Sequence, residues 1–194
     1  VMDTRGEALK SHSSHMIQFR HSEDVSMLNA IMHVIVEEGL YDDDYVAKYT
    51  ENWEAQKEHL KAFSPEKMAP ICGIDAEMLR DVARTFANAK AGMIFWGMGV
   101  SQHIHGTDNS RCLISLAFMT GNVGKPGAGL HPLRGQNNVQ GASDAGMIPM
   151  FLPDYQPVSD DGVRSAFTEV WKSEDFSSEA GLTVVEIIEA MVRR

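Results

Sequence analysis

Cysteine is scarce: the 194 residues hold two, Cys72 and Cys112. They lie far apart among apolar neighbours and no CxxC occurs, so this chain alone cannot build a zinc or an iron–sulfur site. That scarcity also fits a reducing, cytoplasmic setting. Basic residues are few. Lys and Arg number 17 against 27 Asp and Glu, a net charge of −10. Without a basic run, binding to a nucleic-acid backbone is excluded as a leading function. No apolar run is long enough to span a bilayer, so no membrane segment is expected. An initiating Met is missing, and "VMDTRGEALK" does not have the pattern of a signal peptide. The opening falls in mid-pattern, which leads us to expect an internal fragment of a longer chain. Internal repeats and low-complexity tracts are absent as well.

What is present reads as a globular α/β protein. Hydrophobic residues make up 43% and charged residues 23%, an ordinary balance. The length suits one domain or parts of two. "VMD" reads as the end of a strand with Asp3 just beyond it, and Met16 to Phe19 as a short strand. Ser22 is placed as the cap of a helix carrying Glu23 and Asp24 in its first turn. Val25, Leu28, Met32 and Ile35 recur at helical spacing up to Gly39. Helices follow over Tyr41 to Thr50 and Trp53 to Phe63. A further helix starts at Ser64-Pro65-Glu66, and another is capped by Asp75. "AGMIFWG", Ala91 to Gly97, is a short strand, and a helix covers Cys112 to Met119. A long Gly- and Pro-rich loop then runs to about Pro157. Val163 to Lys172 and a segment from Thr183, with Thr183 and Glu186 as a capping box, are the closing helices. The order predicts parallel strands, and in such sheets ligands sit outside the carboxyl ends of the strands. Two glycine-bearing loops fall at such ends, Asp3 to Gly6 and Gly97 to Gly106.

Several stretches could carry chemistry. In "DTRG" an aspartate could accept from a guanine or ribose edge and Arg5 could reach a phosphate; spacing alone favours a plain turn with a surface ion pair. In "WGMGVSQHIHG" Gly97 and Gly99 flank Met98 and let a ligand approach the backbone. The third glycine of a dinucleotide fingerprint is missing. His103 and His105 lack a third ligand nearby, so solvated or hydrogen-bonded histidines are the default there. "TGNVGKPGAG" lacks the Lys-Ser/Thr ending of a triphosphate loop. "LRGQNNVQGASD" is the strongest signal, one cation among carboxamides and glycines. Arg134 offers a planar fork for a small carboxylate or a phosphate, and Gln136, Asn137, Asn138 and Gln140 could bind the edges of a heterocycle. An ordered loop that ties two domains together by its side-chain amides is the competing reading, and the residues by themselves leave both open.

Three stretches carry a family resemblance: "NAIMHVIVEEGLYDDDYV", "FWGMGVSQHIHG" and "LAFMTGNVGKPGAGLHPLRGQNNVQGASDAG". They resemble the molybdopterin oxidoreductases of the dimethyl-sulfoxide-reductase superfamily, and most of all the catalytic (alpha) subunits of molybdenum or tungsten formate dehydrogenases. The likeness runs from Val1 to about Tyr155. It implies a doubly wound parallel-sheet, Rossmann-like fold. Residues 1–134 would be the later part of a molybdopterin-guanine-dinucleotide-binding domain, and 135–194 the start of the next segment. It also implies a bis-molybdopterin guanine dinucleotide cofactor carrying molybdenum or tungsten. Asp3 and Arg5 match the guanosine- and phosphate-side loop, and Met98 and Gln102 match pterin-lining positions. Gly97, Gly99 and Gly135 match cofactor-binding glycines. Arg134 matches the arginine that orients formate beside the metal, and Gln136 a neighbouring active-site amide. Where the family often has Pro-Gly, this chain has His21-Ser22; Asp24 still matches a cofactor-contacting Asp or Asn. The family's metal-ligating cysteine or selenocysteine and its 4Fe–4S ligands have no counterpart in this chain. The resemblance therefore implies a parent enzyme that oxidises formate to carbon dioxide and passes electrons to iron–sulfur and NAD- or flavin-linked subunits, with this chain inactive by itself. The rival readings are another superfamily oxidoreductase, such as a nitrate reductase, or a non-catalytic nucleotide-binding or subunit-docking module.

Overall fold

The computed structural model describes residues 1–5, 9–173 and 176–193. Gly6, the end of the "DTRG" reading, lies outside the described residues. The chain divides into two compact units, Val1–Leu133 and Arg134–Arg194.

The first unit is built around helix α1, Asp24–Glu37. Met27, Leu28, Ala30, Ile31, Met32, Val34 and Ile35 are all buried, so α1 is apolar on nearly every side and must be enclosed. The helices that enclose it are α3 (Trp53–Leu60), α4 (Pro65–Cys72), α5 (Ala76–Ala87) and α7 (Gly106–Met119). Burying a side chain the size of Ile31 or Leu79 stabilises by about 1.5–3 kcal/mol. Cutting Ile31 to alanine would cost about 2–5 kcal/mol, because the packed surroundings close only partly on the void.

Helix boundaries follow local chemistry. Asp42 caps α2 (Asp43–Tyr49), its Oδ1 accepting from Tyr45 N at 2.9 Å. Asp75 caps α5 through the backbone N–H groups of Glu77 and Met78, and Pro65 opens α4 at its first position. Gly73 closes α4 in the left-handed region, where Arg20 donates to the Pro70 and Ile71 carbonyls. A cation there suits the negative end of the helix.

The α/β expectation holds in the first unit, where two strands pair in parallel. Strand β1, Met93–Trp96, runs beside β2, Gly129–Pro132, with Met93 opposite Gly129 and Trp96 opposite Pro132. Between them the chain passes through a short helix, α6 (Met98–Ser101), and then α7. Alternation along β1 leaves Met93 and Phe95 exposed and Ile94 and Trp96 half-buried. Phe95 stacks on His131 of β2 with ring centres 4.9 Å apart. The expected strands at the start of the chain shrink to one parallel bridge, Met2 to Ile17. Asp3 N donates to the Ile17 carbonyl and Ile17 N to the Val1 carbonyl. A mostly apolar cavity of about 420 Å³ lies between that bridge and β1, lined by Val1, Ile17, Asp24, Val82, Ile94 and Trp96 among others.

Three expectations need correction. Ser22 does not cap α1. Its φ of 69° puts it in the left-handed turn before the helix, and Glu23 takes the cap position without a side-chain cap bond. The last helix of the first unit starts at Gly106, well before Cys112. The long loop is also not featureless, since β2 falls within it.

The second unit contains α8 (Val139–Asp144), where the long loop was expected to continue. Asn138 caps it from the left-handed region, its Oδ1 accepting from Gly141 N at 3.3 Å. Strands β3 (Phe151–Leu152) and β4 (Gln156–Pro157) form a small antiparallel hairpin around Pro153–Tyr155. Helix α9 (Asp161–Trp171) is capped by Asp160. Helix α10 (Val184–Val192) has the expected Thr183–Glu186 capping box. None of α8, α9 and α10 contains a buried residue.

Candidate functional site

The carboxyl end of β1 is where the first unit offers a ligand surface. After Trp96 the chain turns at Gly97 into α6. Val100 N and Ser101 N donate to the Gly97 carbonyl, and Gln102 N donates to the Met98 carbonyl at 2.8 Å. Leu133 N, just past β2, donates to the Trp96 carbonyl at 2.6 Å. One side of this loop is bare. A Cβ built on Gly99 would meet nothing within 4 Å, and one on Gly97 would meet the Leu133 carbonyl at 3.5 Å. Met98 is 48% exposed and Gln102 is exposed as well. Open glycine backbone flanked by a thioether and a carboxamide, at a strand's carboxyl end, is the arrangement in which a large polar ligand can lie directly on the main chain.

Asp24 belongs to the same region. It is 5% exposed, stands in the first turn of α1, and lines the cavity that Trp96 and Val100 also line. Burial pushes its carboxyl above the usual carboxylate range; its own backbone N–H and the nearby His103 of the loop oppose that rise. Asp24 is thus a buried acid at a helix N-terminus, beside the loop that carries Met98 and Gln102.

Asp3 and Arg5 follow the Met2 bridge. Arg5 N donates to Asp3 Oδ1 at 2.7 Å, and the Arg5 guanidinium stands 3.5 Å from the same oxygen. This is the turn with a surface ion pair that spacing alone favoured. The pair holds Arg5 weakly, since its side chain is 83% exposed and exposed pairs contribute little.

Arg134, Gly135 and Gln136 open the second unit and are exposed. Within that unit Arg134 makes no hydrogen bond or ion pair to the described residues. Of the loop's amides, Asn138 caps α8 and Gln140 donates to Asp144 at 3.2 Å. The structure therefore gathers Asp24, Gly97, Met98, Gly99 and Gln102 in one unit and sets Arg134, Gly135 and Gln136 in the other.

Among the described residues no cluster of three His, Cys, Asp or Glu could hold a metal ion. No described helix is long and apolar enough to cross a membrane. Both thiols are free, and burial pushes each up to about 11. Among the buried carboxamides that escaped the sequence reading are Asn122 and Asn109. Asn122 accepts from Gly92 N at the foot of β1 and donates to Thr120 Oγ1, each at 2.9 Å. Asn109 holds the Gly97–Gln102 loop from behind. The signal for Asn109 was faint: a carboxamide three residues after Gly106, between the loop that was read to Gly106 and the helix that was read from Cys112.

An α/β unit with parallel strands and a bare glycine loop at a strand's carboxyl end has the setting in which such sheets receive their ligands. The particular family follows from comparison with known proteins. The family model described as Molybdopterin oxidoreductase matches residues 1–191, and the chain belongs to that family. Formate dehydrogenase H of Escherichia coli (strain K12) is 43% identical over 171 residues, covering 88% of this chain and 24% of that protein. The F420-dependent formate dehydrogenase subunit alpha of Methanocaldococcus jannaschii is 41% identical over 189 residues, covering 97% of this chain and 28% of that protein. This chain thus spans about a quarter of the length of those relatives. Among solved structures, acetylene hydratase from Pelobacter acetylenicus superposes with a TM-score of 0.61 at 23% identity, over 65% of this chain and 17% of that one, a likeness of fold.

Proposed function

We propose that this chain is the cofactor- and substrate-facing segment of a molybdenum- or tungsten-dependent formate dehydrogenase alpha subunit. The observation that carries the reading is the bare backbone at Gly97 and Gly99, between exposed Met98 and Gln102, at the carboxyl end of β1. It gives a bis-molybdopterin guanine dinucleotide a surface to lie on without displacing a side chain. In this reading residues 1–134 belong to the cofactor domain and 135–194 begin the next segment.

Roles follow from chemistry. Met98 and Gln102 contact the pterin, Gln102 through its carboxamide. Asp24 accepts hydrogen bonds from the cofactor. Asp3 and Arg5 take the guanosine and phosphate end; Arg5 gives up little when it leaves its exposed ion pair. When bound, the metal centre supplies the two-electron acceptor for formate. Arg134 holds the formate carboxylate by two parallel N–H groups, which fixes its orientation. Gln136 supplies a neutral hydrogen-bonding group beside it, and Gly135 keeps the backbone low between them. The 4Fe–4S cluster is held by residues outside this chain, and electrons leave through iron–sulfur and NAD- or flavin-linked subunits.

Formate-dependent dye reduction by the cofactor-loaded enzyme tests the reading, with pterin measured as its fluorescent oxidation product and guanine nucleotide by acid release. Arg134→Lys should lower kcat/KM by roughly tenfold to a few hundredfold with pterin content retained. A charge-assisted bidentate contact is worth about 1.5–3 kcal/mol, much of it spent on orientation. A pterin-loaded enzyme that reduces nitrate and ignores formate would replace formate dehydrogenase with a nitrate reductase. A protein free of pterin would leave the non-catalytic module.

A further inference from the structure

The loop that presents Met98 and Gln102 is fastened from behind. Asn109 is 2% exposed, and its Nδ2 donates to the Val100 carbonyl at 2.8 Å, nine residues back along the chain. Its backbone N donates to the His105 carbonyl at 2.9 Å, so the residue is held in the first turns of α7 while its side chain reaches into the loop. Gly106, buried at the start of α7, lies so close to the loop that a Cβ built on it would overlap the Ser101 carbonyl oxygen. Val100 itself packs against the apolar core. One side of the loop is therefore tied to α7 and to the core, while Met98 and Gln102 on the other side are exposed.

We propose that Asn109 is a positioning residue that sets the Gly97–Gln102 loop in its cofactor-receiving shape before the cofactor arrives, with Gly106 leaving the room this needs. The proposal rests on the reading of Met98 and Gln102 as pterin contacts. Pre-organisation is what such a contact provides. A four-residue helix has too few internal hydrogen bonds to persist unaided, and a loop that must order on binding charges that ordering against affinity. One buried donor on the central Val100 carbonyl removes most of the alternatives. Asn suits the position: its carboxamide donates to the loop, whereas a carboxylate of the same size would repel the carbonyl.

Hydrogen–deuterium exchange on the wild-type holoenzyme, before and after the cofactor is stripped, tests the idea without any variant. The Val100, Ser101 and Gln102 amides should exchange at nearly the same rate in both forms. Free exchange in the stripped form, with protection appearing only when cofactor is bound, would overturn the proposal. Asn109→Asp and Gly106→Ala form the second arm. Each should lower the pterin retained after gel filtration by about tenfold, the scale of one lost hydrogen bond's ordering. In each, exchange should rise at Val100–Gln102 and stay unchanged in α1 and α5. Full pterin retention in folded variants whose loop stays protected would also overturn it. If either variant fails to fold, the wild-type comparison decides. A wild-type protein that never carries pterin refutes the functional reading and this role together. A pterin-carrying protein whose stripped loop exchanges freely refutes the positioning role alone.

Discussion

Asn122→Ala should destabilise the first unit by about 2–4 kcal/mol, and the structure shows where that comes from. Asn122 is 1% exposed. Its Oδ1 accepts from Gly92 N, one residue before β1, in a buried hydrogen bond of 2.9 Å. Removing the acceptor strands a buried N–H, which costs about 1–3 kcal/mol. The Nδ2 bond to Thr120 Oγ1, also 2.9 Å, contributes less: the Thr120 hydroxyl keeps its own bond to the Leu116 carbonyl at 2.7 Å, so its loss adds about 0.5–1.5 kcal/mol. Urea unfolding followed by fluorescence measures the change, with an unaltered slope showing that the same surface is exposed. Thr120→Val forms the second edge of a double-mutant cycle, and coupling of about 0.5–1.5 kcal/mol is expected for groups in direct contact. A shift below about 0.5 kcal/mol for Asn122→Ala, within the range of ordinary surface substitutions, would refute the claim that this carboxamide ties β1 to the end of α7.

Two glycines of nearly equal φ should respond differently to alanine. Gly39 (φ +64°) has open space around it, so Gly39→Ala should cost about 1 kcal/mol for the left-handed backbone alone. Gly121 (φ +63°) would place its Cβ 2.6 Å from Asp42 Oδ2, disturbing the cap of α2, so Gly121→Ala should cost about 2–3 kcal/mol; equal losses in urea would count against the Asp42 contact. Burial raises the Asp24 carboxyl above 3.8 in the folded state. Stability tied to that proton is therefore full below 3.8 and is lost as pH rises through the folded value. Asp24→Asn carries no such loss, so its melting temperature should gain on the wild type as pH goes from acid to neutral; parallel curves would sink the assignment. With the Cys112 thiol pushed up to about 11, about one molecule in a thousand carries the thiolate at pH 8. Iodoacetamide should therefore label native Cys112 at least about a hundredfold more slowly than in urea, and comparable rates would show the thiol to be accessible and ordinary.

How much was legible depended on whether the signal was local. Helix α5 announces itself through Asp75 and the apolar spacing after it, and α10 through Thr183 and Glu186; in both, the chemistry that starts the helix lies within four residues. Strand β2 has no such signal. Gly129, His131 and Pro132 are poor strand formers, and the segment is extended because β1, far back in the chain, offers it a parallel partner. Ser22 misled for the opposite reason. Serine before two acids is good cap chemistry, but the turn from Arg20 into α1 needs a left-handed residue there, and tertiary demand prevailed over propensity. The same division runs through the candidate site. Gly97 and Gly99 were visible because glycines after an apolar strand are a local pattern, whereas Met98 and Gln102 entered through the family resemblance. Asn109 and Asn122 were not, since a carboxamide in a helix or turn declares nothing until its partner is known, and those partners lie 9 and 30 residues away. Residues that face a ligand must carry particular chemistry, and chemistry can be read from residue type. Residues that hold a ligand-facing loop in place need only reach one backbone carbonyl or N–H from a buried position, and many sequences satisfy that. In this chain the exposed half of the site is thus the half a sequence can propose, and its buried half, Asn109 with Gly106 and Asn122 with Gly92, is what the fold adds.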